Sequence, residues 1–193
     1  MRNFSNTMLL ANDDDNETFW EVVNSNFPNE NIPTQFQHGE RKTLPVFEGL
    51  IPVGSSRSMA SYHVSSCFNS KHGEKMYLYL AMQICKVACI IGDISHGRPI
   101  SPEMKNALTK DCLYKLENMW YLINECYKDK HNKSKISDLR SSPTIPKMIN
   151  GILVSPSCLE AVVLLYIGPN EYWASLKLQF KMGRWICTLA DIG

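Results

Sequence analysis

The last third of the chain alternates so regularly that any fold must accommodate a sheet there. Leu176, Leu178, Phe180 and Met182 alternate with Lys177, Gln179 and Lys181, and Gly183-Arg184 separates this run from Trp185 to Leu189. A two-residue apolar period broken by a short glycine turn is the pattern of a β-hairpin with one buried face. Just upstream, Cys158 to Ile167 is nearly all apolar and ends at Gly168-Pro169-Asn170. It reads as a strand followed by a turn.

Two helices are predicted before these strands. The first covers residues 71–94, around the most apolar stretch of the chain, Met76 to Ile91, with Gly92 and Gly97 helping to stop it. That stretch contains Gln83 and Lys86 and is shorter than the roughly 20 residues a bilayer requires, so it reads as a buried core helix, with no spanning segment. The second has a clear start. Ser101 can cap, Pro102 suits the first helical position where no backbone donor is needed, and Glu103 meets the positive end of the dipole. Leu108, Cys112, Leu116, Met119, Trp120 and Ile123 follow at three- and four-residue steps, which predicts one continuous helix ending near Tyr127.

Toward the N-terminus, Leu44 to Val53 reads as an edge strand because Pro45 and Pro52 interrupt it. A turn at residues 54–57 and the alternating run Met59 to Phe68 complete a hairpin. The order strands, two helices, strands predicts an α+β class, an antiparallel sheet with two long helices packed on it. Residues 1–40 carry seven acids against Arg2, a balance of −6 in a chain of net charge +1, so a body of +7 follows. The expected organisation is a flexible acidic arm over residues 1–40 and one domain over residues 41–193. Within the arm the apolar knot Phe19, Trp20, Val22 and Val23 is the candidate self-association element.

Seven cysteines at irregular spacings, mostly inside apolar runs, predict free thiols in a reducing compartment. The first ten residues lack the uninterrupted apolar core of a secretory leader. Cys85 and Cys89 stand one helical turn apart, but no second Cys or His pair lies nearby at zinc spacing, so no metal is expected. Cys67, His96 and Asp93 can be drawn as a triad, yet no motif supplies a positioned base or an oxyanion hole. The phosphate loop Gly-Lys-[Ser/Thr] is absent. Tyr77-Leu78-Tyr79-Leu80 fits a Tyr-x-x-Leu peptide, but its apolar helical setting makes it core. Trp173, Phe180 and Trp185 read as cross-strand core pairs. Neither a catalytic residue, a cofactor nor a small-molecule substrate is expected.

The most informative polar feature is the basic segment holding Lys128, Lys130, Lys133, Lys135 and Arg140, partly offset by Asp129 and Asp138. Exposed cations of this kind gain about 1 kcal/mol each beside an anionic membrane. No aromatic side chain interleaves them from 128 to 140, which disfavours stacking on single-stranded nucleic acid.

Two patches of sequence resemble rhabdovirus matrix proteins. One runs from Lys86-Val87 to Gly92 in an apolar helix, then through Ser95-His96-Gly97-Arg98-Pro99-Ile100 to Met104 and on to Tyr114-Lys115-Leu116. The other is Leu176 to Phe180 followed by Gly183-Arg184-Trp185-Ile186-Cys187. The resemblance spans residues 57–190. It implies a structural protein of the virion and host cytoplasm, peripheral at membranes, whose partners are other copies of itself, the anionic inner leaflet and the viral nucleoprotein. The chain departs from the family in its acidic arm and its lack of a Pro-Pro-x-Tyr peptide, which points to a divergent branch such as the plant-infecting viruses. The alternative expectation is a non-catalytic interaction module, an adaptor or accessory factor binding protein or nucleic acid.

Overall fold

A computed structural model of the chain describes residues 44–54, 58–68, 73–126, 137–138 and 140–193. Its centre is a six-stranded sheet, β1 (Val46–Pro52), β2 (Met59–Ser66), β3 (Thr144–Ser155), β4 (Cys158–Ile167), β5 (Asn170–Lys181) and β6 (Arg184–Ile192), whose spatial order is the sequence order. The helices α1 (Glu74–Ser95), α2 (Pro102–Lys105) and α3 (Lys110–Cys126) fall between β2 and β3.

That insertion decides the sheet's polarity. Strands joined by hairpins pair antiparallel, as β1 with β2 and β3 through β6 do. The long helical crossover returns the chain in the same direction, so β2 and β3 pair parallel. The sheet is therefore mixed, not antiparallel as the sequence suggests.

The helical expectation is corrected too. Among the described residues only one long helix packs across the sheet. α1 touches all six strands and buries Met76, Tyr77, Leu80, Ala81, Ile84, Val87, Ala88 and Ile91 at three- and four-residue steps. Of the described helices it alone is long and apolar enough to cross a membrane, yet 56% of that window is buried inside the fold. Gly151 on β3 permits its close approach, because a Cβ there would lie 2.8 Å from Ile84 Cδ1.

The expected second long helix is broken. Ser101 does cap, its hydroxyl accepting from the Met104 N–H at 3.3 Å, but α2 stops at Lys105. Residues 107–109 instead pair with the edge strand β6. Cys187 N–H donates to Ala107 C=O at 2.8 Å, and Thr109 N–H donates to Cys187 C=O at 2.9 Å. These bonds use backbone groups that a continuous helix would spend internally, and they cover part of an otherwise open sheet edge. Thr109 then restarts the helix, its hydroxyl accepting from Cys112 N–H at 3.4 Å. The resulting α3 buries only Cys112 and Leu116, against α1 and β6, and leaves Tyr114, Tyr121 and Leu122 exposed.

β3, a central strand, is absent from the sequence expectation. Pro146 lacks a ladder donor, but the register slips between Pro146 and Met148, and this irregularity accommodates it. The covered face of the sheet carries Tyr62, Val64, Ile149, Leu153, Leu159, Val163, Leu165, Leu176 and Leu178, all buried beneath the helical layer. Phe180 and Trp185 pair directly across β5 and β6 with ring centres 5.5 Å apart, as expected, whereas Trp173 points to the other face and is exposed.

Candidate interaction surfaces

The side chains of that other face alternate with the buried ones, and nothing in the described fold covers them. Val46, Leu50, Met59, Ile152, Val154, Val162, Trp173 and Leu189 stand on it with 38% to 61% of their surface exposed. β4 shows why this is unusual. Its sequence is apolar at almost every position, the composition of a strand buried on both sides. One side, Leu159, Ala161, Val163, Leu165 and Ile167, is buried, while Val162 on the other is 39% exposed. Between β2 and β6 this face sinks into a depression of about 620 Å³, lined by His63, Asn150, Ile152, Val162, Lys177 and Leu189 among others.

Several polar groups of the open face pair within it or at its rim. His63 Nδ1 lies 2.6 Å from Glu48 Oε1, and Lys177 Nζ donates to Glu160 Oε1 at 2.9 Å. Tyr166 donates its hydroxyl to Glu171, and Lys147 Nζ sits 5.7 Å from the centre of the Tyr166 ring. Lys115 reaches Asp191 at 3.5 Å. Two of these pairings shift the titration of one partner. Its bond to Glu160 raises Lys177, and its bond to Glu171 raises the Tyr166 phenol. Apart from Lys181 and Arg184 at its β5–β6 end, the face thus offers apolar area with little uncompensated charge.

Of the basic segment, Lys128, Lys130, Lys133 and Lys135 lie outside the described residues, as do Phe19, Trp20, Val22 and Val23 of the arm. Arg140 is described, and it is exposed. Its Nε donates to the Gly97 carbonyl at 3.1 Å and its guanidinium lies 5.2 Å from the centre of the Trp120 ring. It therefore ties the end of the basic segment to the C-terminus of α1, where a cation also suits the helix dipole.

The His96 region is a polar knot at that same terminus. His96 is 4% exposed; its Nδ1 lies 3.0 Å from both the Gly92 carbonyl and Ser95 Oγ, and its ring packs edge-on against Tyr172. Asp93 accepts from Arg98 at 2.9 Å and from the Thr144 hydroxyl at 2.8 Å. None of these contacts involves Cys67, which is exposed beyond the end of β2. The hypothetical triad does not form a hydrogen-bonded chain.

Burial lowers the His96 pKa, opposed in part by the Gly92 carbonyl and the Asp93 charge. The unfolded imidazole takes up its proton near the ordinary histidine value, while the folded one resists until lower pH. In that window the unfolded state binds more protons, so stability falls as pH falls. Urea midpoints followed downward through this window should drop for the wild type and drop less for His96→Gln. Equal slopes would show that His96 is not the responsible group.

Four of the seven thiols form two pairs. Cys85 and Cys89 share a hydrogen bond along α1, and Cys112 and Cys187 share one between α3 and β6. Cys89 and Cys187 are pushed up by that bond and then by burial. The Cys112–Cys187 pair bridges distant parts of the chain and has no signature in sequence spacing. Among the described residues no group of three or more His, Cys, Asp or Glu could hold a metal ion. Tyr77 and Leu80 are fully buried, with Tyr77 stacked on Phe47 at 4.1 Å, so the Tyr-x-x-Leu stretch is core.

The geometry defines a one-sided sheet: among the described residues one face is sealed by a helix, and the other carries exposed apolar side chains that no described element covers. No family model, curated protein or solved structure matches the chain.

Proposed function

We propose that the chain is a non-catalytic, matrix-like assembly protein that self-associates through the open face of its sheet. The carrying observation is that face: eight exposed apolar side chains on strands whose opposite side is fully packed. Together they present on the order of 600 Å² of apolar surface, at the upper end for a monomer. That approaches the roughly 800 Å² that one side of a stable interface buries. With the charges in its middle paired, that part of the face suits another protein surface better than a phosphate-rich one, since binding to phosphates draws on uncompensated cations.

The resemblance to rhabdovirus matrix proteins supports the same reading, and with it a second activity at anionic membranes and the viral nucleoprotein. Lys128, Lys130, Lys133 and Lys135 are the cations assigned to the membrane, and the Phe19-Trp20-Val22-Val23 knot is an auxiliary self-association element. Sedimentation velocity over a wide concentration range tests the first activity. Growth in mass with concentration supports it, and a monomer throughout contradicts it. For the second, changing Lys130, Lys133 and Lys135 together to Glu should lower partitioning onto anionic vesicles by about a hundredfold. Flotation of the triple variant equal to wild type would remove the basic segment from the account.

A further inference from the structure

The hairpin joining β5 to β6 breaks two local rules within four residues. Met182 occupies the left-handed region with φ 52° and is followed by Gly183 at φ 76°. Two successive residues of this kind make the tight hairpin turn that favours Asn-Gly, and a methionine there carries a backbone penalty without making a contact. Its side chain is 97% exposed, the most exposed large apolar group described. The second breach lies beside it. Lys181 and Arg184 are directly paired in the register, which places like charges opposite each other where they repel. Neither makes an ion pair or side-chain hydrogen bond among the described residues, unlike His63, Lys115, Lys147 and Lys177 elsewhere on the open face or at its rim.

Local choices that cost stability without a structural return mark positions kept for contact with something else. The chemistry of that contact follows from the residues. An apolar tip flanked by two free cations matches an anionic bilayer surface, where the thioether enters the acyl boundary and the cations meet headgroup phosphates. We infer that the Lys181-Met182-Gly183-Arg184 tip is a membrane-docking element that inserts Met182 into an anionic leaflet.

This rests on the membrane activity proposed above but uses a different place on the molecule. The tip lies at the end of the sheet where β5 meets β6, while Arg140 is anchored near Thr144 and the C-terminus of α1, at the other end. β4, ten residues long, separates the two ends by on the order of 30 Å. A flat bilayer engaging the tip end-on therefore does not reach Arg140, and the contributions of the tip and of the lysines are separated by mutation.

The experiment is flotation of the full chain with phosphatidylcholine vesicles, with and without phosphatidylserine, alongside thermal melts. Met182→Asn should raise the melting temperature by about 2 °C, because asparagine suits the turn, and should lower partitioning onto phosphatidylserine vesicles about tenfold. Lys181→Thr with Arg184→Thr should keep or raise the melting temperature and lower partitioning at least tenfold at low salt. A merely structural tip would not couple gained stability to lost binding. Wild-type flotation by both variants overturns the inference. If only the Lys130, Lys133 and Lys135 variant loses binding, the tip is excluded while the membrane reading stands. If the wild type binds no anionic vesicle, both fail. If the tip variants lose an acidic protein partner but keep the vesicles, the tip reads protein and the inference fails.

Discussion

Replacing Gly97 with alanine is expected to destabilise the fold by about 3 kcal/mol, lowering the melting temperature by roughly 6–12 °C. Gly97 ends α1 with φ 70°, its N–H bonded to the Ile94 carbonyl at 3.0 Å. An L side chain in this region costs about 1–2 kcal/mol before any contact is counted. Space is also lacking, since a Cβ would fall 2.2 Å from Trp120 Cε2. Trp120 has little freedom to yield because the Arg140 guanidinium lies over its ring, itself bonded to the Gly97 carbonyl. The substitution therefore strains the end of α1, the middle of α3 and the entry to β3 together. Reducing Trp120 to leucine should restore part of the loss in the double variant by removing the clash but not the backbone term. A change below about 2 °C for Gly97→Ala would show that this junction does not hold the helices together.

The second large effect concerns assembly. Val162→Lys should weaken self-association by about 2 kcal/mol or more, roughly 30-fold, because it places a charge in the middle of the proposed contact. Stability should change by no more than about 1 kcal/mol, the usual span of strand preferences. Its cross-strand neighbours, Asn150 and Ser175, are both exposed and polar, and Glu160 two positions away can accept the new ammonium. Loss of assembly with the melt preserved separates a surface role from a core role.

These residues also show what the sequence discloses and what it withholds. β4, β5 and β6 are legible because alternation and turn residues are local; β4 matches its expected limits and β6 lies within three residues of them, while β5 begins at Asn170, six residues before the expected Leu176. Ser101 is legible as a cap for the same reason. The break after Lys105 is not, since the helical pattern is intact and is overridden by bonds to Cys187, far away in sequence. β3 is hidden because Pro146 and Gly151 look like breakers until the register slip and the packing of Ile84 account for them. The parallel pairing of β2 with β3 follows from β3 and was missed with it.

The open face is the most consequential omission. An almost continuous apolar run such as Cys158 to Ile167 predicts burial, and periodicity alone carries no information about whether a second layer exists to provide it. The packing of α1 on the opposite face, with no described element over this one, leaves Val162 and Trp173 exposed. The tip at Met182 was likewise read as the end of an alternating strand, because backbone handedness leaves no mark on hydropathy. The four lysines of the basic segment and the apolar knot of the arm fall outside the described residues, so their roles stand on sequence and on the variants proposed for them.

The most direct test of the account is sedimentation velocity of the full chain and its Val162→Lys variant, each across the same concentration series in moderate salt. The account predicts that the wild type gains mass as concentration rises, while the variant, melting at nearly the same temperature, remains monomeric over the range. Assembly that persists unchanged in the variant, or a wild type that never leaves the monomer, would contradict it.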